Sequence, residues 1–304
     1  MTSNRTKKFG AVALLGATNA GKSTLINSLV GEKVSIVSRK VQTTRFQIRA
    51  ILTHQQSQIV LVDTPGFFKP SRKFDRAMIA AAWQSLDDVE IIAFLIDAAR
   101  PFDLKKQQVY LEKIAQTVNE ENRILILNKV DMASKNNLLK ISATMNAICP
   151  FARTFMVSAL NNDGITDIKD WIAHAMPEGE WIYPEDELTT LPNRLLAAEI
   201  TREKIYDRLH QELPYKMAVV TEEFIQTHDR KSISIRQVVV IEDKRHKGIV
   251  LGRQGQTIKI IGSAARAELM DIFQCPVHLE LFVQHRENWL DKDEAFLEYG
   301  YDNI

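Results

Sequence analysis

Cysteine is scarce in this 304-residue chain, with Cys149 and Cys275 its two examples. Two thiols cannot build a zinc cluster by themselves, and no disulfide framework can be read from them. An excess of charge of one sign is also lacking. Lys plus Arg number 39 against 38 Asp plus Glu, a formal net charge of +1. No global field therefore drives the chain onto nucleic acid or lipid, and any polyanion site must be local. No apolar run approaches the ~18 residues of a membrane span. The start, MTSNRTKKFG, runs into a strand-like segment with no signal-peptide core or cleavage site, so the expectation is a cytoplasmic protein. Internal repeats and low-complexity tracts are missing too. What is present is 45% hydrophobic and 25% charged, ordinary globular material sufficient for one large domain or two of about 150 residues.

The first half alternates short β-rich runs with helical stretches. Strands are expected at Phe9–Leu15, Arg45–Thr53, Gln58–Val62, Glu90–Ile96, Arg123–Leu127 and Arg153–Val157. Helices are expected at Lys22–Leu29 and near Arg72–Leu86, Asp103–Val118 and Ile165–Ala175. This rhythm predicts an α/β domain, a mostly parallel sheet with helices on both faces. It breaks at Met176–Pro192, where three prolines and many acidic residues read as a linker. Beyond lies an α–β–β–α–α–β pattern, a smaller α+β module. The expected division is 1–176, linker 177–192 and 193–304.

Gly16-Ala17-Thr18-Asn19-Ala20-Gly21-Lys22-Ser23 is G-x-x-x-x-G-K-S between a strand and a helix. The glycines let backbone N–H groups turn inward around phosphate oxygens at the positive end of the helix. Lys22 can then reach the terminal phosphates, and the Ser23 hydroxyl can ligate magnesium. Asp63-Thr64-Pro65-Gly66 ends a neighbouring apolar strand, which suits Asp63 to an indirect, water-mediated magnesium contact and the Gly66 N–H to a terminal phosphate. In Asn128-Lys129-Val130-Asp131, the Asp131 carboxylate can accept from guanine N1–H and N2–H, a donor pair that adenine lacks. Asn128 would tie this loop to the phosphate loop, and the Lys129 stem would cover the base. Ser158-Ala159 would offer a backbone N–H to guanine O6. Between the first helix and second strand, Ser38–Arg45 carries the threonine expected at magnesium and the terminal phosphate, Thr44 ahead of Thr43.

These pieces, in this order, resemble a translation-factor-type P-loop GTPase domain over Phe9–Ala175. The resemblance implies GTP/GDP and Mg2+ as ligands and Asn19, Lys22 and Thr44 as catalytic residues. Phe67 stands where Ras-like members carry the glutamine that orients water, which predicts slow intrinsic hydrolysis. In related GTPases with a hydrophobic residue there, an asparagine at the position of Asn19 can ligate K+, which would supply positive charge to the transferring phosphate.

In the second half, Gly252-Arg253-Gln254-Gly255 is a G-x-x-G flanked by apolar residues. In KH domains such a loop joins two helices and clamps the sugar–phosphate chain of about four nucleotides. From Lys231 to Arg266 there are eight basic residues and two acidic ones, with Lys247, Arg253 and Lys259 beside the loop. That local charge gives a neutral chain a phosphate footprint.

The segments Tyr183–Thr189, Leu196–Lys204, Glu212–Tyr215, Lys247–Gly255 and Pro276–Leu281 make nearly the whole chain similar to the Era-like family of bacterial GTPases. The resemblance implies a GTPase domain followed by a type II KH domain. It also implies binding to the 3′ end of 16S ribosomal RNA, assistance in small ribosomal subunit maturation, peripheral contact with the inner membrane and a monomer. Thr18 departs from the proline many members carry, and Arg253-Gln254 from the usual lysine before the second glycine. The acidic tail Gln284–Ile304, with Trp289, Phe296 and Tyr299, is expected to form a short amphipathic helix on the KH domain. Two rival readings remain: an RNA-binding scaffold holding guanine nucleotide structurally, and a membrane-recruited regulatory GTPase.

Overall fold

Side chains that alternate between two buried faces along the central strands set the first layer of the architecture. In a computed structural model, strand β4 (Ile91–Asp97) turns Ile91, Ala93 and Leu95 to one face and Ile92, Phe94 and Ile96 to the other. Both sets are buried, as a strand with period-2 side chains requires when helices cover both faces. The structure describes residues 6–37, 48–66, 73–84, 86, 88–101, 103–209, 213, 217–227, 229, 231–289 and 292, side chains at 82 and 106 excepted.

The chain divides into two compact units. Met1–Ser35, Phe46–Lys69 and Ile79–Thr190 form the first; Ile36–Arg45, Pro70–Met78 and Leu191–Ile304 form the second. The first holds a six-stranded sheet built from β1 (Lys8–Gly16), β2 (Ile48–His54), β3 (Ser57–Asp63), β4, β5 (Arg123–Asn128) and β6 (Arg153–Val157), in the order β2-β3-β1-β4-β5-β6. All neighbours run parallel except the β2–β3 hairpin. Helices α1 (Lys22–Val30) and α5 (Ile165–Ala175) cover one face, with Leu25, Ile26, Leu29, Ile168 and Ile172 buried. On the other face α3 (Leu104–Thr117) and α4 (Lys135–Ile148) bury Leu111, Ile114, Ile141 and Met145. Helix α2 (Lys73–Gln84) follows β3. Among the described residues, no helix is long and apolar enough to cross a membrane.

The segment read as a linker lies along the first unit as far as Thr190. Ile51 N–H donates to Leu188 O (2.8 Å), Thr190 N–H to Arg49 O (3.1 Å), and the Gln58 side chain receives the N–H groups of Ile182 and Tyr183 (both 3.0 Å). Its prolines and acids signal the absence of regular structure. They do not signal detachment, because edge strand β2 has open backbone groups to satisfy.

The second unit carries α6 (Asn193–Arg208), β7 (Met217–Gln226), β8 (Ile233–Ile241), α7 (His246–Leu251), α8 (Gln256–Phe273) and β9 (Val277–His285). Its sheet is β7-β8-β9, antiparallel then parallel. Ala198, Ile205, Val219, Val239, Val250 and Ile261 bring the helices and sheet into one core. Gly262 of α8 packs so closely on β9 that a Cβ would lie 3.2 Å from Leu281 Cδ1. Of the expected tail helix, Gln284 and His285 instead end strand β9 and Trp289 is buried, while Phe296 and Tyr299 lie outside the described residues.

Candidate functional site

Because β1, β3, β4, β5 and β6 point the same way, their carboxyl ends share one edge of the first sheet. Leu14 pairs with Asp63, Gly16 with Leu95, Asp97 with Asn128, and Asn128 with Val157. The chain winds to both sides of β1, and the crevice outside such a switch point is where ligands of open α/β sheets bind.

The loop after β1 opens α1 from a left-handed Gly21 (φ 99°), whose Cβ, if it had one, would sit 2.3 Å from Asn128 Nδ2. No side chain caps the helix, whose positive N-terminal end is where an anion would be held. Lys22 is buried and folds back on Gly16 O (3.2 Å) and Ala17 O (3.1 Å). Burial lowers its pKa to about 8 against the opposing pull of Asp63, and phosphate oxygens at the loop would raise it again. Thr64 Oγ1 donates to Leu14 O (2.6 Å), and Gly66 passes Thr18 so closely that a Cβ would lie 2.8 Å from its Cα.

Ser23 Oγ and Ser35 Oγ both donate to Asp63 Oδ2, at 2.8 and 2.9 Å. These are hard oxygen donors, the kind that magnesium takes. Magnesium is usually held by one or two carboxylates together with substrate phosphates, and no group of three or more His, Cys, Asp or Glu suited to a metal occurs among the described residues. The donor set therefore fits a metal that arrives with a polyphosphate. Ser35 escaped the sequence reading because no motif spacing marks it. Its neighbour Asn27 holds it to α1, accepting from the N–H groups of Val34 (3.0 Å) and Ser35 (2.9 Å) and donating to Ser35 O (2.7 Å). Thr43, Thr44 and Phe67 lie outside the described residues.

At the end of β5, buried Asn128 ties three loops together. Its Nδ2 donates to Ala20 O (3.0 Å), and its Oδ1 accepts from Lys129 N–H (2.8 Å) and Ala159 N–H (3.0 Å). Of the Ser158-Ala159 pair expected to offer a backbone N–H to guanine O6, the Ala159 N–H is thus engaged by Asn128 and the Ser158 N–H by Asp163 O (3.1 Å) in this arrangement. Asp131 stands exposed on the short 3-10 turn Val130–Met132. Lys129 stretches across to Asn19 O (2.9 Å) and Asp97 Oδ2 (2.7 Å). Asp97, a residue without a sequence signal, fixes the lysine stem from the end of β4 and also accepts Ala99 N–H (3.0 Å). Ser158 is buried beside Ala159.

In the second unit Gly252 (φ 73°, ψ 176°) and Gly255 (φ 75°, ψ 11°) bracket the turn from α7 to α8. A Cβ on Gly252 would meet Thr257 Oγ1 at 2.1 Å, whereas one on Gly255 would meet nothing within 4 Å. Arg253, Gln254, Lys247 and Lys259 are exposed around this turn, and apolar Ile249 and Ile260 are exposed beside it. The basic surface is smaller than the local count suggested. Arg236 pairs with its cross-strand neighbours Glu223 (2.7 Å) and Glu280 (3.4 Å), and Arg245 pairs with Asp243, depressing that carboxyl's pKa. Lys244, Lys247, Arg253, Lys259 and Arg266 form no ion pair among the described residues. The acids that neutralise the strand arginine come from other strands, so counting along the chain could not find them.

A family model described as "50S ribosome-binding GTPase" matches residues 11–129, and a KH-domain model matches residues 212–290. GTPase Era of Rhizobium meliloti (strain 1021) is 51% identical over 295 residues, 97% of this chain and 93% of the relative. GTPase Era of Agrobacterium fabrum is 50% identical over 293 residues, 96% and 91% of the two chains. A solved variant of Aquifex aeolicus Era bound to GDP·AlF4− superposes with a TM-score of 0.90 at 34% identity, covering 97% of this chain and 99% of that one. An Era structure with MgGDPNP and nucleotides 1506–1542 of 16S ribosomal RNA gives the same TM-score, identity and coverage.

Proposed function

The chain belongs to the GTPase Era family and hydrolyses GTP, and from that premise we propose that it is a switch whose nucleotide state governs its grip on the 3′ end of 16S ribosomal RNA during small-subunit maturation. The observation that carries this reading is the pair of glycine-bracketed anion cradles, one in each unit: residues 16–23 at the head of α1, and Gly252–Gly255 between α7 and α8. The relative solved with an RNA fragment and MgGDPNP supports the choice of RNA.

In the reaction, residues 16–21 bind the polyphosphate through backbone N–H groups and Lys22 neutralises its terminal charge. Ser23 and Asp63, with Thr44, would hold magnesium, which supplies charge neutralisation to the leaving diphosphate. Gly66 offers its N–H to the terminal phosphate. Asn128 keeps the base loop in register, Lys129 covers the base, Asp131 selects guanine, and Ser158-Ala159 form the loop behind it. With Phe67 at the water-positioning place, intrinsic turnover is slow. Asn19, left-handed at φ 64° on the loop crest, is the proposed potassium ligand. Equal single-turnover rates in potassium and sodium would remove that role.

Gly252, Arg253, Gln254 and Gly255 clamp the RNA backbone, with Lys247 and Lys259 adding charge. The same unpaired cations offer a peripheral contact with anionic lipid for a protein that otherwise works in the cytoplasm as a monomer. The test is filter binding of a single-stranded 16S 3′-end RNA in the presence of GDP or a non-hydrolysable GTP analogue. Affinity is expected to differ by about tenfold between the two. Binding indifferent to nucleotide would favour a scaffold over a switch.

A further inference from the structure

Glu203 lies in the middle of α6, is almost wholly buried (3% exposed) and is unrelated to either sequence motif. A buried carboxylate needs partners to remain charged. One of them is the Val37 N–H, which donates to Glu203 Oε1 at 2.7 Å. On the other side Lys204 Nζ bonds Glu203 Oε2 (3.1 Å) and also pairs with Glu268 on α8. Burial opposes the charge on Lys204, but its bonds to Glu268 and Glu203 outweigh that and raise its pKa, so it stays an ammonium.

Two residues before Val37 stands Ser35, bound to the same Asp63 oxygen as Ser23. Asn27 fastens Ser35 to α1, so the chain is held at Ser35 within the first unit and at Val37 within the second. Only Ile36 separates the two anchors. A nucleotide with magnesium would draw on the Ser23 hydroxyl and, through water, on Asp63, so the two hydrogen bonds that Asp63 Oδ2 accepts from Ser23 and Ser35 would rearrange. Because each peptide unit is planar, a shift at Ser35 can be absorbed before Val37 only by the few φ and ψ rotations around Ile36, which leaves a short lever between the two anchors. At Val37 it alters the hydrogen bond that helps hold a buried carboxylate.

We propose that Glu203 is the positioning residue that transmits nucleotide state from the Asp63–Ser35 pair to α8 through Val37, Lys204 and Glu268. Helix α8 is a single 18-residue element, about 27 Å long, whose first turn follows Gly255 directly. A displacement at Glu268 is therefore carried along a rigid rod to the glycine turn. This inference deepens the switch reading and rests on it.

The test is amide hydrogen exchange of the full chain with magnesium and either GDP or a non-hydrolysable GTP analogue. In the unmodified protein, α8 exchange is expected to differ by about tenfold between the two nucleotides. In Glu203→Ala the difference should fall below about twofold while both nucleotides still bind. Glu203→Gln keeps an oxygen for Val37 but turns an amide toward Lys204. It should retain Val37 protection and lose the α8 response, which separates relay failure from misfolding; Lys204→Met should do the same. An α8 that ignores nucleotide in the unmodified protein, or variants that respond as it does, would overturn the relay. RNA binding is measured on the same samples. If it follows nucleotide while α8 does not, the relay falls and the switch stands; if neither follows, both fall.

Discussion

Asp131 is exposed on a turn whose position is set by a different residue, the buried Asn128. That separation makes Asp131 a clean test of base selection, because removing it disturbs no packing. Asp131→Ala should leave the thermal midpoint nearly unchanged and lower the GTP-over-ATP affinity ratio by on the order of a hundredfold, measured by calorimetry. An unchanged ratio would mean that the base is chosen elsewhere. Cys149 offers a second check at this scale. It is fully buried, and burial raises its pKa against the pull of Arg123. The folded thiol therefore keeps its proton above the pH at which an unfolded one loses it, and its contribution to stability declines as pH rises through the ordinary thiol range. Alkylation near pH 8 is expected at half-buried Cys275 and at Cys149 only after unfolding, as peptide mapping would read. The residues with motif spacing (Lys22, Asp63, Asn128, Asp131) can be singled out from the sequence because each sits in a loop whose spacing is local. Ser35, Asp97 and Glu203 cannot, because their partners Asp63, Lys129 and Val37 meet them only through the fold.

The two glycines of the α7–α8 turn are equivalent in the sequence and unequal in the structure. A side chain at position 252 collides with Thr257, while position 255 is open. Gly255 is left-handed, a region that Asp tolerates better than most residues at a strain of about 1 kcal/mol, whereas Gly252 (φ 73°, ψ 176°) lies in a region essentially reserved to glycine. Gly255→Asp should therefore fold with a midpoint a few degrees lower, bind GTP normally and lose RNA affinity at least about tenfold through carboxylate–phosphate repulsion. Gly252→Asp should lower the midpoint further, since the first turn of α8 must move. Equal thermal shifts in circular dichroism would contradict the collision. Strand and helix periods make these elements readable without any coordinates: Ile91–Ile96 and Ile124–Leu127 are apolar throughout because both faces are covered. Segment 177–190 reads as a linker or domain boundary, and its backbone bonds to β2, with the Thr189 Oγ1 bond to Arg49 O (3.2 Å), follow no side-chain period that the sequence could show.

For the whole molecule, near-neutrality conceals an uneven charge distribution. The formal charge is +1, yet Lys247, Arg253 and Lys259 lie around one turn and, like Lys244 and Arg266, form no ion pair among the described residues, while Arg236 and Arg245 are neutralised by carboxylates. If the unpaired cations meet phosphates, binding of a single-stranded RNA must release counterions. The slope of log affinity against log salt then becomes shallower by ~0.7 for each phosphate that a variant no longer neutralises. Replacing Lys247 and Lys259 together with Gln should weaken RNA binding and flatten that slope by ~1.4. Replacing Arg236 with Gln should leave the slope unchanged, because its charge is already spent on Glu223 and Glu280. Filter binding across a salt series separates these outcomes. Equal slope changes for paired and unpaired cations would mean that RNA senses the net charge of the surface, whereas a change confined to Lys247 and Lys259 places the phosphate track along the turn from α7 to α8.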